Sequence, residues 1–162
     1  MNNYAFIDGQ NLHLGTKEEN WSVDFQKFRI YLNRKYKVTE IYYFIGYFIP
    51  EYQKLYDKIT EAGYILIFKP HSENLSSRKK GNVDIDIVTE VFKNLIENRD
   101  LNKIVIVSGD GDYLNMIKYL IEKNKFLKIL FPNDKPSSLY KELRARRYDY
   151  LSIHQDKMKR GP

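Results

Sequence analysis

Short apolar runs alternate along this chain with longer segments in which apolar residues recur at helical spacing. Runs rich in β-branched and aromatic residues predict strands, and apolar positions repeating about every 3.6 residues predict helices. The pattern predicts five strands, at residues 4–8, 37–46, 64–68, 103–107 and 126–131. Residues 148–153 are a candidate for a short sixth strand.

Helices are predicted between and after these strands, and residues at their ends support the boundaries. Ser22 and Asn82 are suitable N-caps, and Gly63 stands where the end of a helix favours glycine. The predicted helices cover residues 22–34, 51–62, 82–98, 111–124 and 137–147. A polar loop is predicted at residues 69–81, and the basic residues from His154 onward are predicted to form a loose tail.

The alternation of strands and helices is typical of an α/β protein, in which helices cover both faces of a mostly parallel sheet. We therefore predict one three-layer domain over residues 1–153 and a flexible tail over residues 154–162. Right-handed crossovers limit the possible strand orders. A doubly wound order of 3-2-1-4-5 would make strands 1 and 4 neighbours, with a ligand site at their carboxyl ends.

Acidic residues stand at the ends of these two strands. Asp8 ends strand 1, Asp110 follows strand 4, and Asp112 lies two residues further, at the start of a predicted helix. Because the carboxyl ends of neighbouring parallel strands share one edge of the sheet, Asp8 and Asp110 are expected to lie close together.

A fourth acid, Asp84, comes from the predicted helix of residues 82–98. At about 100° per residue, Val88, Val91 and Leu95 fall on the same side of this helix as Asp84. Asp84 therefore lies on the apolar face, at the end of the helix nearest the strand termini. A charged residue in a buried stripe requires a partner.

Simpler structural roles are available to some of these acids. A turn between glycines explains Asp110, and a helix cap explains Asp112. Asp8 has no capping role in the predicted elements. Four close carboxylates would raise one another's pKa values, and a divalent cation would relieve that repulsion. Since the available ligands are oxygen atoms, the expected cofactor is Mg²⁺ or Mn²⁺.

The amino-acid composition limits the classes of binding partner and the cellular compartment that are expected. The chain has 162 residues, 27 Lys and Arg against 21 Asp and Glu, a net charge of +6 and no cysteine. Disulfides and thiolate metal sites are excluded, and an anionic partner such as nucleic acid is favoured. No signal peptide and no apolar run long enough to span a membrane is evident, so a cytoplasmic protein with no membrane partner is expected.

Three segments resemble motifs of one known family. Residues 6–11 (FIDGQN) resemble the F-x-D-G-x-N motif of NYN domains, which are a branch of the PIN-like nuclease superfamily. Residues 80–84 (KGNVD) resemble the family's K-G-x-V-D segment, and residues 108–113 (SGDGDY) resemble its S-G-D-G-D-[FY] segment. The motifs occur in the family's order.

The resemblance implies a metal-dependent ribonuclease with a PIN-like sheet of order 3-2-1-4-5. Asn11 and Ser108 match supporting positions of the motifs, and Glu90 stands where the family often has Asp, which makes it a doubtful ligand. A homodimer is a further expectation from the resemblance alone. The acids that match the family's catalytic and metal-binding positions are Asp8, Asp84, Asp110 and Asp112.

The expected substrate is RNA, single-stranded or structured, and its phosphates require a positive path to the acids. Lys80 belongs to a motif and is predicted to contact phosphate, with Arg78 and Lys79 as neighbouring candidates. An RNA-binding module with weak or no catalysis, acting through partners, is the main alternative, and a structural role in a larger complex is another. A second Asp after Asp8-Gly9 and a P-loop motif are both absent, which argues against other α/β phosphate-processing families.

Overall fold

The computed structural model describes residues 2–70 and 82–162, which form a twisted parallel sheet between two helical layers. Every strand pairing in this part of the chain is parallel. The sheet order is β3-β2-β1-β4-β5-β6, which confirms the predicted order and adds the sixth strand at one edge. The strands are β1 (Asn2–Asp8), β2 (Val38–Gly46), β3 (Ile65–Phe68), β4 (Leu101–Val107), β5 (Phe126–Phe131) and β6 (Tyr148–Tyr150).

Within the described ranges, the α-helices are α1 (Gly9–Glu18), α2 (Phe25–Tyr36), α3 (Gln53–Glu61), α4 (Asp84–Glu97) and α5 (Leu114–Glu122). Three helices, α1 to α3, pack on one face of the sheet through buried side chains that include Leu12, Phe28, Leu32 and Ile59. The other two cover the opposite face through Ile87, Val91, Ile117 and Leu120. The sheet is thus buried on both sides, as parallel sheets require.

Helix α1 was not predicted from the sequence. Its sequence, GQNLHLGTKE, has two glycines and a weak apolar repeat, so local preference does not favour a helix. The helix begins because Asp8 caps it, and it is stabilised because Leu12 and Thr16 are buried against the sheet. The next helix, α2, also begins later than predicted, since Asp24 rather than Ser22 is its N-cap.

The C-terminal region differs from the prediction in three ways. Residues 137–147 do not form one helix but two short 3₁₀ turns, Ser138–Glu142 and Ala145–Arg147, because Leu143 between them has an extended backbone. The sixth strand is only three residues long and leads into a 3₁₀ segment, Leu151–Lys157.

The segment after His154 is packed against the domain rather than loose. Met158 is fully buried, and Lys159 forms an antiparallel bridge with Val23. Asp149 joins His154 to helix α2, because one carboxylate oxygen lies 3.3 Å from the His154 ring nitrogen and 2.8 Å from the Lys35 ammonium. A buried methionine therefore anchors a segment whose polar composition suggested a tail.

Candidate active site

The centre of the site is the carboxyl end of β1, where Asp8 stands beside the end of β4. The preceding residue, Ile7, pairs with Val107 of β4. Asp8 is only 7% exposed, and its Oδ1 accepts a hydrogen bond of 3.1 Å from the backbone N–H of Asn11. Asp8 therefore caps α1, and the expectation that it had no capping role is wrong because α1 itself was missed.

Asp110 is held at the end of β4 by two residues that the motifs singled out. The Asn11 side-chain oxygen accepts a hydrogen bond of 2.8 Å from the Gly109 N–H, and the Ser108 hydroxyl accepts one of 3.1 Å from the Asp110 N–H. Asp110 in turn accepts a hydrogen bond of 3.0 Å from the Asp112 N–H. Asn11 thus ties the loop after β4 to the helix that Asp8 caps.

Asp84 reaches the same place from the opposite helical layer, as the first residue of α4. The Tyr113 hydroxyl donates a hydrogen bond of 2.8 Å to Asp84 Oδ1 and lies 3.4 Å from Asp8 Oδ2. Tyr113 is fully buried. Tyr113 was not predicted to belong to the site, although it directly follows Asp112 and a buried tyrosine hydroxyl usually finds a hydrogen-bond partner.

Three of the four predicted acids form one group in the described part of the chain. One carboxylate oxygen from each of Asp8, Asp84 and Asp110 lies within 4.8 Å of the other two. They open into a pocket of about 290 Å³, whose other lining residues are Gln10, Asn11, Leu14, Asn82 and Val83. The acids come from three separate segments and meet at the switch point of the sheet, where ligands bind in such folds.

Comparison with known proteins settles the family. The NYN domain family matches residues 4–151. The chain belongs to the NYN domain family. The family is a branch of the PIN-like nuclease superfamily, in agreement with the three motifs.

Two individual proteins are similar to this chain. The chain is 28% identical over 158 residues to the Low amplitude and bright protein LabA of Synechococcus elongatus, and the alignment covers 92% of this chain and 82% of LabA. A crystal structure of a protein of unknown function, VPA0982 from Vibrio parahaemolyticus, matches with a TM-score of 0.74 at 17% identity, over 98% of this chain and 96% of that one. The latter match shows a shared fold.

The electrostatics of the NYN site are those of carboxylates held too close together. Burial raises the pKa of Asp8, and the charge of Asp110 raises it further against the opposing effect of the Asn11 N–H. Burial, followed by a hydrogen bond with Asp112, raises the pKa of Asp84 to about 6. At neutral pH the group therefore carries negative charge at a cost in free energy, which a bound cation would reduce.

The donor set fits a hard divalent cation. Mg²⁺ binds oxygen at about 2.0–2.1 Å, so two ligands on opposite sides of the ion lie about 4.2 Å apart. The three carboxylate oxygens, all within 4.8 Å of one another, are close to the spacing of ligands around one such ion. Carboxylate oxygens are also the donors that Mg²⁺ and Mn²⁺ prefer over softer ligands.

Several predicted residues lie outside this group. Asp112 is exposed at the start of the turn Gly111–Tyr113, near enough to affect the pKa of Asp84 but not within the three-carboxylate group. Glu90 lies two turns further along α4, beside Asn94, and is not a member either. The predicted phosphate contacts Arg78, Lys79 and Lys80 fall outside the described residues.

The raised pKa values predict a pH dependence of stability in the absence of metal. Between about pH 4, where a free Asp titrates, and about pH 6, the folded protein binds more protons at Asp84 than the unfolded chain does. The free energy of unfolding should therefore fall as pH rises through this window. Melting temperatures in EDTA, compared between wild type and Asp84→Asn, isolate this contribution. Equal slopes against pH in the two proteins would contradict it.

No helix in the described ranges combines the length and the apolar character needed to cross a membrane.

Proposed function

We propose that this NYN-domain protein is a metal-dependent ribonuclease that hydrolyses RNA phosphodiester bonds, with bonds inside the strand as the expected target. The observation that carries the proposal is the meeting of Asp8, Asp84 and Asp110 in one open pocket. Capping explains Asp8 and Asp110, but Asp84 has no capping role, and the charge there opposes folding. A site that retains an unfavourable charge is a candidate for function.

Each residue has a defined part in this proposal. Asp8, Asp84 and Asp110 would hold Mg²⁺ or Mn²⁺, and Asp112 would act as a fourth, outer carboxylate. When bound, such an ion polarises a phosphoryl oxygen and lowers the pKa of a bound water molecule. Tyr113 fixes the rotamer of Asp84 through its hydroxyl, and Asn11 and Ser108 fix the backbone that carries Asp110.

Two features support RNA as the substrate: the net positive charge of the chain and the open access to the pocket. The chain carries a net charge of +6, so RNA would be attracted to the protein even though the pocket itself is acidic. Arg78, Lys79 and Lys80 remain the proposed phosphate contacts, on the strength of the motif to which Lys80 belongs. The pocket is open and also presents the amides of Gln10, Asn11 and Asn82, which can donate hydrogen bonds to phosphate or ribose oxygens.

The test is a cleavage assay with labelled single-stranded RNA, structured RNA and DNA, in Mg²⁺, Mn²⁺ or EDTA. Wild type should cleave RNA only with a divalent ion, and Asp110→Asn should not cleave. Asparagine keeps a side-chain oxygen that can cap the turn, so the variant should remain folded. Equal cleavage by the two proteins would refute the proposal, and RNA binding without cleavage under any condition would favour the binding-module alternative.

A further inference from the structure

Two exposed aromatic side chains, Phe48 and Tyr52, follow β2 on the same edge of the sheet as the carboxylates. Phe48 is 40% exposed and Tyr52 is 52% exposed, although both are large apolar rings. The Phe48 ring packs against Tyr56 and Phe68, with centroid distances of 5.4 and 5.5 Å. We call Phe48, Tyr52, Tyr56 and Phe68 the aromatic rim.

The backbone of the aromatic rim is held in place. The Tyr56 hydroxyl accepts a hydrogen bond of 3.2 Å from the Ile49 N–H, directly after Phe48. Gly46 has a positive φ of 94°, which turns the chain as it leaves β2. Tyr56 is itself buried, so it supports the segment from which Phe48 and Tyr52 face solvent. Little conformational entropy would therefore be lost if a flat ligand packed on these two exposed rings.

A chain of contacts connects the aromatic rim to the acidic pocket. The Lys69 ammonium lies 2.9 Å from the backbone oxygen of Asn82, which lines the pocket. It also pairs with Asp86 at 3.1 Å. Lys69 directly follows Phe68, whose ring contacts Phe48. One cationic residue therefore lies between the carboxylate pocket and the rings.

We propose that the aromatic rim is a stacking site for unpaired nucleobases of the strand whose phosphate occupies the carboxylate pocket, with Lys69 beside the connecting backbone. This inference rests on the proposed nuclease function. It implies that the substrate is single-stranded where it crosses the aromatic rim, because a paired base cannot leave its stack without a cost. Stacking on aromatic rings tolerates any base, so the site would select single-stranded RNA rather than a sequence.

Shape and position favour nucleobases over a protein surface as the occupant. Residues 47–58 contain two acidic and two basic side chains, Glu51, Asp57, Lys54 and Lys58, so the surface neither repels nor strongly attracts phosphate. Flat rings with an exposed face, next to a cation and to the proposed phosphate site, match the alternation of base and phosphate along a nucleic-acid strand.

The experiment measures binding in EDTA, so that metal-dependent cleavage does not interfere. The probes are an oligouridylate of about ten nucleotides, a length within the range that single-strand-binding sites cover, and an abasic ribose-phosphate oligomer of the same length. Phe48→Ala and Tyr52→Ala should each weaken binding of the oligouridylate by about 5- to 100-fold and leave binding of the abasic oligomer unchanged. Tyr119→Ala is the matched control, since Tyr119 is 48% exposed on α5, which packs on the opposite face of the sheet.

Two results would overturn the inference. The first is unchanged affinity of both rim variants for the oligouridylate, and the second is an equal loss for the two oligomers. If unchanged affinity came with an altered oligomeric state by size-exclusion chromatography, the rim would be identified as a subunit interface instead. Cleavage is measured separately on wild type. Absence of cleavage would refute the nuclease proposal, whereas the binding comparison would still show whether nucleobases stack on the aromatic rim.

Discussion

Replacement of Asp84 by asparagine is expected to lower kcat/KM for RNA cleavage by at least about 10²- to 10³-fold, which is the loss seen when one charge-stabilising group is removed from an active site. Asparagine keeps an oxygen that can accept the Tyr113 hydrogen bond of 2.8 Å but removes the negative charge that attracts the ion. The measurement is the initial rate of cleavage of single-stranded RNA at saturating Mn²⁺. Glu97→Gln is the matched control, because Glu97 is an exposed acid at the opposite end of the same helix.

The same variant should be at least as stable as wild type when no metal is present. Asp84 does not cap α4, and its charge is opposed by burial and by Asp110 and Asp112. Wild type should gain about 2.7 kcal/mol of stability at a Mn²⁺ concentration 100 times its Kd, and the variant should gain much less. Thermal unfolding with Mn²⁺ and with EDTA measures both effects. A variant that melts well below wild type in EDTA would show that Asp84 stabilises the fold.

Replacement of Gly9 by alanine is expected to destabilise the protein by about 1–3 kcal/mol, the usual cost of forcing extra volume into a packed interior. A Cβ atom at Gly9 would lie 2.5 Å from Tyr43 Cε1 and 2.7 Å from the backbone oxygen of Phe44. The second of these neighbours belongs to the backbone of β2, which cannot easily move. Denaturant unfolding measures the loss of stability. Cleavage should fall as well, because Gly9 directly follows Asp8 and a shift of the backbone at Gly9 would displace the Asp8 carboxylate.

Gly109→Ala provides the control for that prediction. Gly109 is also a motif glycine beside the site, but a Cβ atom there would lie 3.5 Å from its nearest neighbour, Pro136 Cα, which is an ordinary contact. Alanine should leave stability unchanged or raise it slightly by restricting the unfolded chain. Equal losses from the two substitutions would mean that close approach to β2 is not what requires glycine at position 9.

The strands and their order could be predicted because their signals are local and strong. The four longer strands, β1, β2, β4 and β5, consist largely of apolar and β-branched residues, which is typical of strands buried on both faces. Parallel connections then leave few possible orders. The same reasoning placed Asp8 and Asp110 at one edge of the sheet.

Helix α1 could not be predicted because tertiary contacts, rather than its own sequence, stabilise it. Gly15 has the same character as Gly9, since a Cβ there would lie 2.6 Å from Pro132 Cβ in the loop after β5. At both positions, glycine is required because a residue distant in sequence packs closely against it. The local sequence shows only that glycine has a low helix propensity. Because α1 was absent from the predicted elements, the prediction that Asp8 has no capping role was also wrong.

The role of Tyr113 and the packing of the C-terminal segment were missed for a related reason. Both depend on a buried side chain whose surroundings come from distant segments. The Tyr113 hydroxyl contacts residues 29 and 105 positions away. Met158 is one apolar residue in a polar stretch, and only the folded domain shows that a site for it exists near Val23.

The capping hydrogen bonds of Asp8 and Asp110 offer, on the proposed function, a means of distinguishing active from inactive relatives. Because an Oδ1 atom at each of these positions accepts a backbone hydrogen bond that starts a helix or turn, a homologue that had lost its chemistry would still benefit from Asp, Asn or Ser there. Position 84 has no such duty. An acid at that position in a related chain is therefore the informative one, and a relative with an apolar or amide side chain there is expected to have kept the architecture without the reaction.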